Sequence, residues 1–288
     1  MKLLVVTVTY KADTLELDLF IKSFFKFNDI GNCARLVVVD NSPEEYCDVR
    51  DLIQLKYSTS VGYIPNPSNP GFGASNNIGF KSELSDYVLF INNDVEFTEP
   101  VFGKIISKLA ETSKIGCIGI HQNGGAPSFF CKVTAPKGSQ IVDFDEHIHF
   151  ISGAFMFFKS DVFLKIGLFD ENIFMYSEEF DISERLILNG YSTEYLKNLS
   201  FLHKVENRRI QNEYLWKIGT ESLCYVCKKY NLNPYELSFG HRRLYLLFFY
   251  FLVQLNIKEC RKILRIISTM DRIIRQSFPS CKSTYKVN

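Results

Sequence analysis

The sequence has no apolar segment near the twenty residues that a membrane-spanning helix requires. Its longest apolar run, LYLLFFYFLV, covers about ten residues at 244–253. It also lacks the apolar core and small-residue cleavage site of a signal peptide, because Met1 and Lys2 lead directly into a strand-like segment. Internal repeats and low-complexity linkers are missing too. We therefore expect a globular chain that stays in the cytoplasm, with one large domain or one domain and an appendage.

Cysteine usage does not indicate a disulfide framework. The eight cysteines are scattered over 288 residues, and a cytosolic protein keeps such thiols reduced. Cys224 and Cys227 form a single CxxC without the second pair or histidine cluster of a zinc site. We interpret them as small apolar residues on the helix that includes Trp216 and Leu223.

The net charge of +1 conceals an uneven distribution of charge. Residues 241–288 carry ten Lys/Arg and two acids, which leaves 23 of the 33 basic and 30 of the 32 acidic residues before them. The tail is therefore strongly basic and the body acidic. This asymmetry predicts a polyanionic or membrane-surface partner for the tail rather than for the whole protein. We expect no nucleic-acid partner.

The first part of the sequence alternates strand-like and helix-like segments, which predicts βα units and a mostly parallel sheet. The apolar strands show no period of two, as expected where helices cover both faces of a sheet. From about residue 99 the pattern changes. The predicted elements there are a helix at 101–112, a strand at 150–159, and a helix at 178–189 that Gly190 ends.

The apolar strand YVLFI is followed directly by the polar residues Asn92, Asn93 and Asp94. Open α/β sheets bind ligands at the carboxyl ends of their strands, so Asp94 is a candidate metal-binding carboxylate there. Asp40, Asn41 and Ser42 end another strand and should face the same crevice. The alternative is that these residues form ordinary turns, which Asn, Asp and Ser favour.

Two features of the sequence could bind parts of a nucleotide, a negatively charged group and a pyrimidine base. The glycine-rich turn at 69–79 leads into a helix whose N-terminus could receive negative charge, although it matches neither the Walker nor the dinucleotide motif. The carboxylate of Asp40 could accept the ring N–H of uracil or thymine. The alternatives are a helix-entry loop at 69–79 and an Asp40 that caps the turn after it.

Three acids lie in the first turn of the late helix: Glu178, Glu179 and Asp181, with Ser177 as the expected N-cap. Acidic side chains in a first turn also interact favourably with the helix dipole, so the alternative is that they only stabilise the helix. The preceding residues are bulky and apolar, however, and desolvation raises a carboxyl pKa towards the range of a general base. We therefore expect this cluster to take part in catalysis.

His203 follows a short strand-like run, Ser200 to Leu202, and could bring an imidazole to the same crevice as a metal ligand. A structural histidine is the alternative. His147 and His149 lie beside a solvated acidic turn, and no role is assigned to them.

Six segments together resemble the family 2 glycosyltransferases, and their order and spacing agree with that family. They are VTVTY at the start, VVVDNS at 37–42, NPGFGASNNIG at 69–79, FINND at 90–94, ISGAFMFF at 151–158, and GLFDENIFMYSEEFDISERLILNGY at 167–191. The combination is most similar to the rhamnosyltransferase-like branch that builds bacterial surface polysaccharides. It covers about residues 1–210.

The resemblance implies an inverting enzyme of the GT-A fold. That fold has a Rossmann-like, mostly parallel sheet flanked by helices, here with a basic, amphipathic C-terminal helical extension. Residues 1–98 would form the nucleotide-sugar-binding half, 99–215 the acceptor and catalytic half, and 216–288 the extension. The donor would be a UDP- or dTDP-sugar, with dTDP-rhamnose favoured weakly, and the acceptor a glycan or lipid-linked oligosaccharide.

The resemblance also implies residue roles. Asn92-Asn93-Asp94 would replace the family's DXD motif, with Asp94 and His203 as ligands of a divalent cation, Mg²⁺ or Mn²⁺. Glu179 would be the base, and Glu178 and Asp181 would position both Glu179 and the acceptor. The donor site would be lined by the remaining predicted residues: Thr9, Tyr10 and Asp40 at the base and ribose, and Asn69, Gly73 and Asn77 in the crevice.

Two other functions remain open. A sugar nucleotidyltransferase should carry a Gly- and Arg-rich phosphate loop after the first strand, where this chain has Lys11-Ala12-Asp13. A non-catalytic glycan-binding or assembly module with the same fold would bind nucleotide without turnover.

The basic tail predicts a peripheral membrane contact through residues 241–275. Apolar residues follow helical spacing from Ile263 to Ile274, with Lys and Arg over much of the remaining surface. Such a helix can lie in the membrane interface at the inner face of the cell membrane. The alternative is that its apolar face packs on the catalytic domain or on a second subunit, as in a homodimer.

Overall fold

The computed structural model describes residues 1–125, 127–132, 143–203, 213–237 and 239–279. The chain forms two compact units. The first comprises residues 1–130, 142–174 and 178–207, and the second comprises 131–141, 175–177 and 208–288.

The first unit is built around an eight-stranded sheet with the order β3-β2-β1-β4-β9-β6-β10-β5. β1 pairs in parallel with β2 and β4, β2 with β3, and β6 with β10, whereas β9 and β5 run antiparallel to their neighbours. β7 and β8 form a separate pair. The strands are β1 Leu3–Thr9, β2 Ala34–Asp40, β3 Val61–Pro65, β4 Tyr87–Ile91, β5 Val95–Phe97, β6 Ile115–Asn123, β7 Phe129–Cys131, β8 His149–Ile151, β9 Phe155–Lys159 and β10 Ser192–His203.

Helices cover both faces of this sheet, as the apolar strands predicted. Leu3 and Val5 of β1 face one apolar core, whereas Leu4 and Val6 face the other. The first core contains side chains of α1, α2 and α4, and the second contains side chains of α3, α5 and α6. The helices of the chain are α1 Thr14–Phe27, α2 Asp48–Lys56, α3 Phe72–Lys81, α4 Phe102–Glu111, α5 Ser160–Lys165, α6 Glu178–Leu188, α7 Glu213–Tyr230, α8 Pro234–Leu237, α9 Phe239–Val253 and α10 Ile257–Ser277.

The strand predicted at 150–159 is wrong, because the chain turns in its middle. β8 ends at Ile151, the Phe155 N–H donates to the Ser152 carbonyl at 3.3 Å, and β9 begins at Phe155. The glycine at 153 lies in this turn. The prediction for the end of α6 is confirmed: Gly190 has a φ of +75°, and the Tyr191 N–H donates to the Leu186 carbonyl.

The described part of the second unit is mostly helical, and its packing decides between the two alternatives for the apolar face of the basic helix. Ile263, Ile266 and Met270 of α10 are buried with Leu244 of α9, and Trp216 of α7 packs against them. That face is therefore used inside the unit and is not available to a membrane. Cys224 and Cys227 lie buried on α7, as predicted.

Much of the exposed apolar surface among the described residues of this unit belongs to α9 and to the turn before α10. Val253 and Leu255 are 84% and 80% exposed, and Leu246, Phe249 and Tyr250 are more than half exposed. Within the described residues, no helix has both the length and the hydropathy needed to cross a bilayer.

Candidate active site

The predicted metal-binding turn lies at the carboxyl end of β4, between β4 and β5. Asp94 precedes the first residue of β5, and β5 pairs with the end of β10 so that His203 lies opposite Val95. This register brings the His203 Nε2 to 3.1 Å from the Asp94 Oδ1. The structure thus brings together the two predicted ligands, which are 109 residues apart in the sequence.

Asp94 and His203 suit a divalent cation that also contacts phosphate. Mg²⁺ and similar ions are commonly held by one or two protein groups, with substrate phosphates and water completing the shell. The described part of the chain has no group of three His, Cys, Asp or Glu side chains arranged around one point. The His203 Nδ1 is buried and has no hydrogen-bond partner within the described residues. Asp94 and His203 could therefore supply two ligands of a divalent cation, and the other ligands would come from water or a bound molecule.

Glu178 and Glu179 begin α6 with their carboxyl groups in a desolvated place. Glu178 is only 4% exposed, and its Oε2 has no hydrogen-bond partner among the residues described. Burial, and then the neighbouring charge of Glu179, hold the pKa of Glu178 well above its usual range. Burial also raises the pKa of Glu179, against the opposing effect of backbone N–H groups. A carboxylate with a raised pKa is suited to accept a proton.

Glu179 is held in place by the turn between β8 and β9. The Gly153 N–H donates to the Glu179 Oε1 at 3.2 Å, and a Cβ on Gly153 would collide with that oxygen. The next residue, Ala154, accepts the N–H of Asn92 at 3.2 Å. Glu179 and the Asn92–Asp94 turn are therefore joined through two successive residues of one loop.

Asp181 differs from its predicted role in positioning the acceptor. Its side chain is fully buried, and its Oδ2 accepts from the Arg185 Nη2 at 2.7 Å and the Nε at 2.9 Å. The Arg185 Nη1 donates to the carbonyls of Ile166 and Leu168. Asp181 thus fixes α6 to the loop before it. Ser177 also departs from the expected N-cap geometry, since its φ is +72°.

Asp40 is 2% exposed and accepts four hydrogen bonds. Its Oδ1 accepts from the Thr9 hydroxyl and from both the N–H and the hydroxyl of Ser42. Its Oδ2 accepts from the Tyr63 hydroxyl at 3.0 Å, and burial together with Asp40 raises the pKa of Tyr63, which keeps its proton. Asp40 therefore does cap its own turn, and Oδ2 retains one lone pair for a base N–H. Its contact with a base stays a prediction.

An amide network that the sequence did not reveal joins β2, the end of β3 and α3. Asn66 donates to the Asn41 Oδ1 at 2.6 Å, and Ser75 donates to the same oxygen. The Asn41 Nδ2 donates to the Asn69 Oδ1 at 3.1 Å. The φ of Asn69 is +43°, and Gly71 follows with a φ of +107°. The network fixes the glycine-rich turn to the crevice.

Gly73 and Asn77 have packing roles in the structure. A Cβ on Gly73 would lie 2.9 Å from the Phe169 Cβ. Asn77 donates to the Phe169 carbonyl at 2.9 Å, and its Oδ1 accepts the Phe169 N–H. Both residues therefore anchor the GLFD loop to α3. Their predicted place in the donor crevice stays a prediction.

Tyr10 is exposed at the end of β1, beside a cation that the sequence analysis did not single out. Lys11 has a φ of +49°, and its Nζ lies 4.1 Å from the centre of the Tyr46 ring and 5.5 Å from that of Tyr10. Its backbone N–H donates to the Ser42 hydroxyl. No local pattern predicts this contact. Gly153 could have been found, because a glycine inside an apolar strand pattern indicates a break or a close approach.

Comparisons with known proteins show what the chain is similar to in sequence and in fold. A family model described as "Glycosyl transferase family 2" matches residues 4–167, more than half of the chain. None of the curated protein sequences matches the chain.

Solved structures share the fold at low sequence identity. A mannosyltransferase from Pyrobaculum calidifontis, in complex with GDP-Man and Mn²⁺, has a TM-score of 0.59 and 10% identity over 98% of this chain and 76% of its own. S. aureus TarS 1–349 in complex with UDP has a TM-score of 0.55 and 13% identity over 97% of this chain and 91% of its own. GalNAc-T7 with UDP, GalNAc and Mn²⁺ has a TM-score of 0.58 and 15% identity over 77% of this chain and 47% of its own. The likeness confirms the predicted GT-A fold.

Proposed function

Because this chain belongs to glycosyl transferase family 2, we propose that it is an inverting, metal-dependent enzyme of surface polysaccharide synthesis. It moves a sugar from a UDP- or dTDP-sugar, with dTDP-rhamnose as the favoured donor, to a hydroxyl of a glycan or lipid-linked acceptor. One observation carries the proposal. The carboxylate of Glu179 and the Asp94–His203 pair are joined by two successive residues, because Gly153 binds Glu179 and Ala154 binds Asn92.

The donor lies along the carboxyl ends of β1, β2 and β4. The Asp40 Oδ2 accepts the ring N–H of the base, and Tyr10 lies beside it at the surface. Asp94 and His203 would hold a divalent cation, which would supply positive charge to the leaving diphosphate. Relatives in fold were solved with GDP-Man and Mn²⁺ or with UDP, and this supports a nucleotide donor and a divalent cation here.

Glu179 performs the proton transfer. The Gly153 N–H fixes one carboxylate oxygen, so that the group is oriented before the acceptor arrives. The acceptor hydroxyl gives its proton to Glu179 as its oxygen attacks the anomeric carbon. The bond from that carbon to the phosphate oxygen breaks on the opposite side, and the nucleoside diphosphate leaves. A single displacement of this kind inverts the anomeric centre.

A screen for nucleoside diphosphate release tests the donor class. The purified full chain is incubated with Mn²⁺ and individual UDP-, dTDP- and GDP-sugars, and free diphosphate is measured. We expect release from at least one UDP- or dTDP-sugar, since slow hydrolysis accompanies donor binding. Release from GDP-sugars alone would contradict the pyrimidine assignment to Asp40. Nucleotide binding without any release or transfer would favour the non-catalytic module.

The proposal includes attachment to an anionic membrane surface through α9 and the turn before α10. Val253 and Leu255 are exposed there, and Lys258, Arg261 and Arg265 follow on α10 with exposed side chains. Apolar side chains beside basic ones suit the interface of a bilayer that contains anionic lipid. Such attachment would bring the enzyme to a lipid-linked acceptor at the cytoplasmic face.

Vesicle flotation tests this attachment. We expect the full chain to float with vesicles that contain phosphatidylglycerol, and to float at least tenfold less with pure phosphatidylcholine. The double variant Val253→Glu/Leu255→Glu should lose flotation, whereas Leu55→Glu, at an equally exposed leucine (85%) on α2, should retain it. Equal flotation of the double variant and the parent protein would remove the membrane assignment.

A further inference from the structure

A second concave region lies in the sheet unit, on β6, β10 and the segments beside them. We call it the aromatic cleft; it is lined by residues 121–122, 127–129, 143–147, 192–195 and 197, and its volume is about 1020 Å³. Ligand pockets are commonly about 300–1,000 Å³. The cleft therefore has space for a ligand of the size of a di- or trisaccharide. None of the residues predicted from the sequence to bind the donor or the metal lines it.

Aromatic rings form one wall of the cleft. The Phe129 ring centre lies 5.4 Å from that of Phe144 and 5.2 Å from that of Tyr195, and all three side chains are half-buried. The buried ring of His149 packs against Phe129 and Phe144. The Tyr195 hydroxyl lies 2.8 Å from the His121 Nδ1. Rings held in this way offer flat apolar faces, on which the C–H face of a sugar ring can pack.

The charged groups of the cleft do not suit a phosphate ligand. Asp143, Asp145, Glu146 and Glu194 line it, and Lys197 is the only Lys or Arg among its described lining residues. Lys197 lies 3.7 Å from Asp143. A polyanion would be repelled here, so the cleft is unsuited to a nucleotide sugar. Carboxylates accept hydrogen bonds from hydroxyl and amino groups, and these are the groups that neutral and amino sugars present.

Two buried polar side chains of the cleft wall have unsatisfied hydrogen-bonding atoms. Gln122 is 4% exposed, and neither its side-chain oxygen nor its nitrogen has a hydrogen-bond partner within the described residues. The Thr193 hydroxyl is in the same situation. Buried polar atoms without partners are costly in a folded protein and are uncommon. Small adjustments on ligand binding could pair them with sugar hydroxyls or with bridging water.

Two hydrogen bonds and a short stretch of chain connect the aromatic cleft to Glu179. The Ser128 hydroxyl accepts the Gln122 N–H in the cleft wall, and the Ser128 carbonyl accepts the Ser152 N–H. Ser152 precedes Gly153, which binds Glu179. Ser152 is three residues beyond His149, a span of about 10 Å in extended chain. A glycan whose reacting hydroxyl lies at Glu179 could therefore place an inner sugar in the cleft.

From these observations we infer that the aromatic cleft is an acceptor subsite, which binds a neutral or amino sugar of the growing glycan one or more residues away from the reacting hydroxyl. The inference rests on the proposed glycosyl transfer. It assigns Phe129 and Tyr195 to stacking on that sugar, and the surrounding carboxylates to hydrogen bonds with its hydroxyl or amino groups. The subsite would make the enzyme selective for acceptors longer than one sugar.

Saturation-transfer NMR on the full chain tests the subsite with a panel of free neutral and amino-sugar monosaccharides, disaccharides and trisaccharides. We expect signals from members of the panel with two or three sugars, and weaker binding of the monosaccharides. Tyr195→Ala and Phe129→Ala should each weaken this binding about tenfold, which corresponds to about 1.4 kcal/mol. Tyr195→Phe, which keeps the ring, should retain most of it. The matched control is Phe25→Ala on α1, an exposed aromatic outside the cleft, and thermal melts report whether each variant is folded.

The outcomes separate the subsite from the proposed function. Binding that is unchanged in both alanine variants would overturn the subsite, and so would the absence of binding by every member of the panel. Binding of a lysine-rich peptide in place of any saccharide would assign the cleft to a basic peptide and would also overturn it. UDP and dTDP binding by the parent protein is measured separately by calorimetry. If neither nucleotide binds and GDP does not bind either, the glycosyltransferase proposal fails, whatever the cleft binds.

Discussion

Glu179→Gln is expected to lower the rate of sugar transfer by about 10²- to 10⁴-fold, the range attributed to a positioned general base. The amide keeps nearly the same shape and can still accept the Gly153 N–H that binds Glu179. It cannot take a proton from the acceptor hydroxyl, however. Donor affinity, measured by calorimetry with UDP or dTDP, should change little, because the loss concerns a group that acts only in the reaction.

The pH dependence of transfer provides an independent reading of the same residue. Burial raises the pKa of Glu179 above the ordinary value of 4.5, and a general base acts only when it is deprotonated. Activity should therefore fall as the pH is lowered through this raised pKa, at a higher pH than an ordinary glutamate would give. If the activity decreases only at or below pH 4.5, the assignment is contradicted. Near-normal transfer by Glu179→Gln would also contradict it.

Two further variants test whether transfer requires Glu179 in its position, or only acidic charge on α6. Glu184→Gln makes the same change on α6, about 140° around the helix from Glu179, and should leave the transfer rate within a few-fold of the parent value. Gly153→Ala leaves the base chemically intact, but its Cβ would displace the carboxylate. It should therefore reduce the rate substantially without shifting the nucleotide affinity.

The fold was predictable because its strands are apolar on both faces and alternate with helices over the first 91 residues. Leu3 and Leu4 in fact enter opposite cores. The strand order of the second half could not be predicted, because its strands pair with partners that are distant in the sequence. β9 lies between β4 and β6, and β10 joins β6 to β5. Local periodicity carries no information on such an order. It also did not predict the turn that divides residues 150–159, which places Gly153 beside the base.

Residue types indicated the chemistry of the site, but not which carboxylates are free to act. Glu178, Glu179 and Asp181 look equivalent in the sequence, yet Asp181 is committed to Arg185 and Glu179 is bound by Gly153. Gly153 belongs to a loop that folds back on α6, and the Ile166 and Leu168 carbonyls that accept from Arg185 belong to the segment before α6. The same limit explains the tail, whose helical spacing was correct. The sequence left open whether its apolar face contacts a membrane or packs on protein, and in the structure α7 and α9 bury that face.

Removal of the divalent cation is the other change with a large expected effect. We expect excess EDTA to reduce transfer at least 100-fold, and added Mn²⁺ or Mg²⁺ to restore it. The reason is the charge of the diphosphate that leaves, which a divalent cation at the predicted ligands Asp94 and His203 would neutralise. Full activity in excess EDTA would remove the metal role of both residues.

Variants of the two ligands connect this loss to the site itself. Asp94→Asn keeps the size of the side chain but lacks the charge, and should weaken Mn²⁺ binding in the presence of UDP or dTDP at least tenfold. His203→Ala should weaken it less, because phosphate and water oxygens can replace one nitrogen ligand in the shell of a hard cation. Electron paramagnetic resonance of free Mn²⁺ measures both effects without relying on turnover. The control is Asp86→Asn, which changes an exposed carboxylate that pairs with the N-terminal amine before β4. If Asp94→Asn and Asp86→Asn bind Mn²⁺ equally, the ion is held elsewhere, and the polar turn after β4 serves only to end the strand.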